Sequence, residues 1–156
     1  MITIDIPGFR KLNLAHLVAD YNGTLAVDGR LLPGVAEALT RLAPRMTIHV
    51  VTADTFGLAK AELAGLPLEL TVAPAQRQAE TKLQFISQLG PETVVALGNG
   101  RNDRKMLRAA ALGIALIQRE GSAAETLASA DVVCLGALDA LELLNHPKRL
   151  IATLRS

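Results

Sequence analysis

Short apolar runs, each too brief for a helix and each ending on polar residues, recur along this chain. His16-Leu17-Val18-Ala19 runs into Asp20, residues 46–51 run into Thr52, and residues 93–97 run into Gly98-Asn99-Gly100-Arg101-Asn102-Asp103. Runs of this length, rich in Val and Ile and bounded by turn formers, read as buried strands. Helical periodicity fills the spaces between them. Pro33-Gly34 opens a segment with Val35, Ala38, Leu39 and Leu42 on one face. Helices are expected near 55–64 and 76–89, the second stopped by Gly90-Pro91. Asn102 or Asp103 caps another that runs to about Ala110. Short strands are expected near 68–72, 112–117 and 131–135, with helices near 122–127, 138–144 and 147–154. Strands alternating with helices define an α/β fold, Rossmann-like, with a mainly parallel sheet and helices on both faces.

Two local patterns stand outside that alternation. Ile2, Ile4 and Ile6 alternate with polar residues as a half-buried edge strand does, and Pro7-Gly8 turns the chain toward a hairpin partner at 10–14. Asp28-Gly29 suits a tight hairpin turn and predicts a small flap beside Asp20. No repeat or linker divides the chain, so residues 1–156 read as one domain, with 1–14 an edge strand or hairpin.

Composition narrows the function classes. No apolar run reaches the roughly 18 residues of a membrane span. The start, Met1 to Ile6, lacks the basic and apolar regions of a signal peptide. A cytoplasmic protein with no membrane partner is expected. A net charge of +1 and only 3% aromatic residues argue against a nucleic-acid partner. The single cysteine, Cys134, excludes an internal disulfide and reads as a small buried hydrophobe.

The chemistry-bearing residues follow the strands. In open parallel sheets, ligands bind beyond the carboxyl ends of the strands, where strand order reverses. Asp20 and Asp103 are expected at that rim with Thr52, Asn22 and Asn99. Grouped oxygen ligands suit a hard cation such as Mg²⁺. A carboxylate beside Mg²⁺ and a phosphate is placed to be a covalent nucleophile. A hydroxyl, backbone N–H groups and a lysine neutralise the oxygens of a transferring phosphoryl group. Asp54 reads as a cap for the helix that follows it, and His16 and His49, in or beside apolar strands, read as structural.

Asp20-Tyr21-Asn22-Gly23-Thr24-Leu25 resembles the first motif of the haloacid dehalogenase (HAD) superfamily, usually Asp-x-Asp-Gly-Thr. Gly98-Asn99-Gly100-Arg101-Asn102-Asp103 resembles its fourth, usually Gly-Asp-Gly-x-Asn-Asp. Val50-Val51-Thr52-Ala53-Asp54 is similar to the second, and to the Thr-Gly-Asp of P-type ATPases. Leu112-Gly113-Ile114-Ala115 and Ala130-Asp131-Val132-Val133 match the P-type ATPase phosphorylation domain in order and spacing. The resemblance, from His16 to Leu144, is to a soluble, P-type ATPase-like HAD phosphohydrolase. It implies that Asp20 is the nucleophile and a metal ligand, and that the Asn22 carbonyl is a second ligand. Thr52 would hold the transferring phosphate. Lys82 would neutralise that phosphate, with Arg77 the alternative. Asn99 stands at a metal-binding position, and Asp103 would support Mg²⁺ directly or through water.

The departures from the pattern carry expectations too. Asn22 stands where the family has a general acid/base, and an amide has no proton to exchange at a useful pKa. Activated phosphates, or a long-lived aspartyl phosphate, are therefore favoured. Asn99 lacks the formal charge of the usual aspartate, so metal affinity should fall. Neither 24–52 nor 52–82 is long enough for a cap domain, which implies an open site closed by a large phosphorylated substrate or by a neighbouring subunit of a homo-oligomer. A catalytically weakened regulatory or partner-binding module is the competing reading. A phosphoacceptor receiver domain fits less well, because its acceptor follows the third strand.

Overall fold

The computed structural model describes all 156 residues. Its centre is a six-stranded parallel sheet. The strands are β3 (His16–Ala19), β6 (Thr47–Thr52), β7 (Glu69–Val72), β8 (Val94–Gly98), β9 (Leu112–Leu116) and β10 (Val132–Cys134). Across the sheet they lie in the order β10-β9-β8-β3-β6-β7. β3 pairs with β6 on one side and β8 on the other, so the sheet winds outward both ways from β3. That reversal of strand order places the ends of β3, β6 and β8 side by side at one rim.

Successive side chains of a strand face opposite ways, so a sheet buried on both faces needs apolar residues at every position. Leu17 and Ala19 join Ile48, Val50, Val95, Leu97 and Ile114 in one cluster. Val18 joins Val51, Val94, Ala96 and Ala115 in the other. The first face is covered by α1 (Val35–Leu42), α6 (Ala137–Asn145) and α7 (Pro147–Leu154). The second is covered by α3 (Gln78–Leu89) and α4 (Arg104–Ala109), with α5 (Ala124–Ser129) beside them.

The N-terminal strands β1 (Ile2–Ile6) and β2 (Arg10–Leu14) form an antiparallel hairpin. They make a separate two-stranded sheet rather than an edge of the central one, burying Ile2, Ile4, Ile6, Leu12 and Leu14 against the first face. The flap is present as β4 (Ala26–Val27) and β5 (Arg30–Leu31), antiparallel about Asp28-Gly29. Both turn residues have positive φ, 51° and 79°, as a two-residue turn matched to strand twist requires.

One helix departs from expectation. The segment expected to be helical near 55–64 holds only α2 (Ala59–Glu62). Asp54 takes a left-handed φ of 54°, Gly57 donates its N–H to the Asp54 carbonyl, and Asp54 Oδ1 accepts from Ala59 N. A turn closed by its own side chain outcompetes two helical turns there. Between β3 and β6 lie only the flap and α1. Between β6 and Lys82 lie α2, β7 and the start of α3, so no cap domain is inserted.

Candidate functional site

β3, β6 and β8 deliver Asp20, Thr52 and Asn99 to the same rim, and the helices behind deliver Lys82 and Asp103. Lys82 lies on the inward face of α3, in line with Gln78, Ala79 and Ile86. Its ammonium is fully buried and donates to Asp20 Oδ1 at 2.8 Å and to Asp103 Oδ1 at 2.7 Å. Arg77, the other basic candidate, sits exposed at a left-handed position before α3.

One ammonium between two buried carboxylates leaves an excess negative charge. Burial first, then the like charge of Asp103, pushes the Asp20 carboxyl up to about 7 against the pull of Lys82. Burial works against the Lys82 charge, but Asp20 and Asp103 overcome it and hold the ammonium well above its ordinary value. Lys82 is charged at any working pH.

Asp103 is engaged on every side. Oδ1 accepts from Lys82, and Oδ2 accepts from the backbone N–H groups of Asn99 (3.0 Å) and Gly100 (2.9 Å). Three of about four lone-pair directions of its carboxylate are spoken for. It braces the β8 loop from within rather than capping α4. Asn99 Oδ1 accepts from Thr24 Oγ1 at 3.3 Å, while Nδ2 donates to Gly121 O at 3.0 Å. Thr52 Oγ1 accepts from Asp54 N at 3.0 Å, which leaves its own O–H proton free to donate.

Asn22 turns its side chain into the flap. Its Oδ1 accepts from Gly29 N at 2.9 Å, and the Tyr21 hydroxyl donates to Gly29 O at 2.9 Å. Adjacent residues thus grip both backbone atoms of one flap glycine. The Asn22 carbonyl accepts no backbone hydrogen bond. His16 and His49 lie outside this group, as neighbours on β3 and β6, with Nδ1 of the first 3.2 Å from Nε2 of the second.

The open acceptors here are the second oxygen of Asp20, the carbonyl of Asn22 and the weakly bonded Oδ1 of Asn99. All are hard oxygen donors from two adjacent loops, and that set fits a divalent cation such as Mg²⁺, which keeps much of its water. Asp103 has the least left to offer one.

Two residues at this rim escape a motif-based reading. Gln118 Nε2 donates to Gly23 O (3.2 Å) and Thr24 O (2.9 Å), and its Oε1 accepts from Ala137 N (3.0 Å). It ties the loop after β3 to the start of α6. Glu120, two residues on, reaches over Gly23. Their signal is the rule that finds the others, since both lie in the turn that follows an apolar strand. A cleft of about 510 Å³ opens beside them, lined by Gly23, Ala26, Val27, Leu32, Gln118, Arg119, Glu120 and Leu135. It adjoins the loop that carries Asp20 without including Asp20, Thr52 or Lys82.

No family model matches the chain. Over 78 residues, 47% of this chain and 84% of the other, it is 41% identical to the uncharacterised protein MJ0073 of Methanocaldococcus jannaschii. Among solved structures it is similar to the cobalt-bound deoxy-D-mannose-octulosonate 8-phosphate phosphatase of Haemophilus influenzae. That match has a TM-score of 0.72 at 13% identity over 92% of this chain and 94% of that one. The 3-deoxy-D-manno-octulosonate 8-phosphate phosphatase of Moraxella catarrhalis, in complex with magnesium, phosphate and KDO, gives a TM-score of 0.63. It is 17% identical, over the same shares of the two chains. A zinc-transporting PIB-type ATPase gives a TM-score of 0.58 at 24% identity, over 78% of this chain and 20% of that one.

Proposed function

This chain belongs to one family with the M. jannaschii protein MJ0073 and has the fold of the HAD superfamily, and from that premise we propose that it is a divalent-metal-dependent phosphohydrolase. The observation that carries the reading is the buried Lys82 bridging Asp20 and Asp103 at the sheet rim. A structural role alone gives no reason to bury two carboxylates around one ammonium, because desolvation costs several kcal/mol per ion. A site that handles phosphate has a use for all three groups.

In this reading an Asp20 carboxylate oxygen attacks the phosphorus atom as the bond from phosphorus to the leaving oxygen breaks and that group departs. Water then attacks the phosphorus of the aspartyl phosphate, the Asp20 oxygen–phosphorus bond breaks, and inorganic phosphate and the free carboxylate are released. Lys82 holds the nucleophile's carboxylate in place and counters charge on the phosphoryl oxygens. Thr52 donates a hydrogen bond through its free O–H to one of those oxygens. Asp20, the Asn22 carbonyl and Asn99 would hold Mg²⁺, with Asp103 as the brace for the loop and for Lys82. The cation, when bound, neutralises phosphate charge. The solved relatives with magnesium, cobalt, phosphate and KDO support a divalent cation and a small phosphorylated substrate. As a single capless unit over residues 1–156, the site takes substrates that bring their own cover. Asn22, fixed to Gly29, protonates no leaving group, so activated phosphates turn over faster than simple alkyl ones.

The test is Mg²⁺-dependent hydrolysis of acetyl phosphate, ATP and p-nitrophenyl phosphate by the wild type and by Asp20→Asn. A fall of at least about a thousandfold in the variant, with acetyl phosphate the best substrate, is expected for loss of a covalent nucleophile. Equal rates refute the reading.

The hydrogen bond from Gly29 to the Asn22 amide favours one second reading, a regulatory module whose acid/base position has become a structural clamp. That reading requires no turnover by the wild type, and activity in a double variant Asn22→Asp, Asn99→Asp. An active wild type eliminates it.

A further inference from the structure

Gly23 is the meeting point of two loops that no motif connects. A Cβ built on it would lie 2.3 Å from Asn99 Nδ2, 2.6 Å from Asn99 Oδ1 and 2.4 Å from Glu120 Oε2. The Asn99 amide and the Glu120 carboxylate therefore converge on one spot, which only a residue without a side chain leaves open. The Gly23 φ of +81° makes glycine doubly necessary there. The Cα of Gly23 is two bonds from the carbonyl carbon of Asn22, whose oxygen accepts no backbone hydrogen bond. Three oxygen-bearing groups, from the loops after β3, β8 and β9, thus gather around a single glycine.

Charge distinguishes Glu120 from its neighbours. Asp20, the Asn22 carbonyl and Asn99 bring one formal negative charge between them, and Lys82 already faces it at 2.8 Å. Asp103 is committed to Lys82 and to two backbone N–H groups. A divalent cation at this rim would meet less negative charge than it carries. Glu120 is exposed to the adjoining cleft and makes no hydrogen bond or ion pair, although it sits beside another acid, Asp28. A carboxylate without a cation partner, beside the same glycine as an amide and an open carbonyl, has the chemistry of a metal ligand.

We infer that Glu120 supplies to the divalent cation the carboxylate that position 99 lacks, as a ligand or through one of the cation's waters. The inference rests on the metal-dependent reading of the Asp20 site. It assigns the turn after β9 to the site, and it makes the two amides of the motifs a relocation of charge rather than a loss of it.

Calorimetric titration of the metal-free protein with Mn²⁺ and Mg²⁺ tests this without reference to turnover. Four proteins are compared: the wild type, Asp20→Asn, Glu120→Gln, and the double variant Asn99→Asp, Glu120→Gln. Glu120→Gln should weaken binding by about tenfold or more, the range seen when a group supporting a metal is removed. The double variant should recover most of that loss, because it returns a carboxylate to the same spot from the neighbouring loop. Equal affinities for the wild type and Glu120→Gln overturn the inference and leave the metal site standing. Loss without recovery in the double variant overturns it as well, since Glu120 then only shapes the turn. A wild type that binds no cation, or binds one as tightly as Asp20→Asn does, overturns the metal reading and this inference with it.

Discussion

Lys82 has two acids to satisfy and charge enough for one, so substitutions on the two sides of this contact should act in opposite directions. Removing the cation strands two buried carboxylates beside each other. Loss of one partner from a buried ion pair costs about 3–5 kcal/mol, so Lys82→Met should lower Tm by about 10 °C at about 2–4 °C per kcal/mol for a chain of this size. Asp20→Asn removes the excess charge instead. Burial and Asp103 hold the Asp20 carboxyl above its ordinary value, so the folded state is strained by ionising it. That variant should be a few degrees more stable than the wild type at pH 8 in metal-free buffer, while losing hydrolysis. Thermal melts of the three proteins side by side check both signs, and a destabilised Asp20→Asn would refute this account of the charge balance. The sequence marks Asp20 plainly, as an acid ending an apolar run. It favours Lys82 but keeps Arg77 as the alternative, because both belong to one helical stretch, and the packed register turns Lys82 inward.

The strand ends were legible because burial on both faces forces unbroken apolar runs, and a polar residue then marks where each run leaves the core. The turn at 53–58 was not, because Asp54 closes it with its own carboxylate, a contact no periodicity encodes. The hairpin register and the flap follow from alternation and from Asp-Gly, whereas the bonds of Gln118 span more than 90 residues to the first loop. Neighbouring strands also set the behaviour of His49, whose ring on β6 faces His16 on β3, Glu69 on β7 and the edge of Phe85 on α3. Burial lowers its pKa below 6.5; Glu69 pulls it back up and His16 pushes it further down. On acidification the unfolded chain therefore takes a proton before the folded one does. The His49 contribution to stability is whole above about pH 6.5 and is lost progressively as pH falls below that value. In His49→Gln the gap in Tm between pH 7.5 and pH 5 should be narrower than in the wild type. A gap of the same size would show that the ring is not held neutral by its burial.

At the scale of the molecule, the sheet brings together groups that are far apart in the chain. Asp20 and Asn22 come from the loop after β3, and Asn99 comes from the loop after β8, with more than half the sheet's residues between them in sequence. The unfolded chain offers a cation no such assembly. A ligand that binds only the folded state stabilises it by RT ln(1 + [L]/Kd), about 2.7 kcal/mol at a hundredfold excess over Kd. For a chain of this size that is a rise in Tm of about 5–11 °C. Mg²⁺ should therefore raise Tm in a concentration-dependent way, EDTA should reverse the rise, and Asp20→Asn should show little of it. Because Asp20→Asn begins from a higher Tm without metal, the melting curves of the two proteins should draw together as Mg²⁺ is added. Parallel responses would mean that the cation binds elsewhere on the surface, whatever the rim residues do. The convergence tests one physical claim: that negative charge which destabilises the empty site is what the occupied site is built to use.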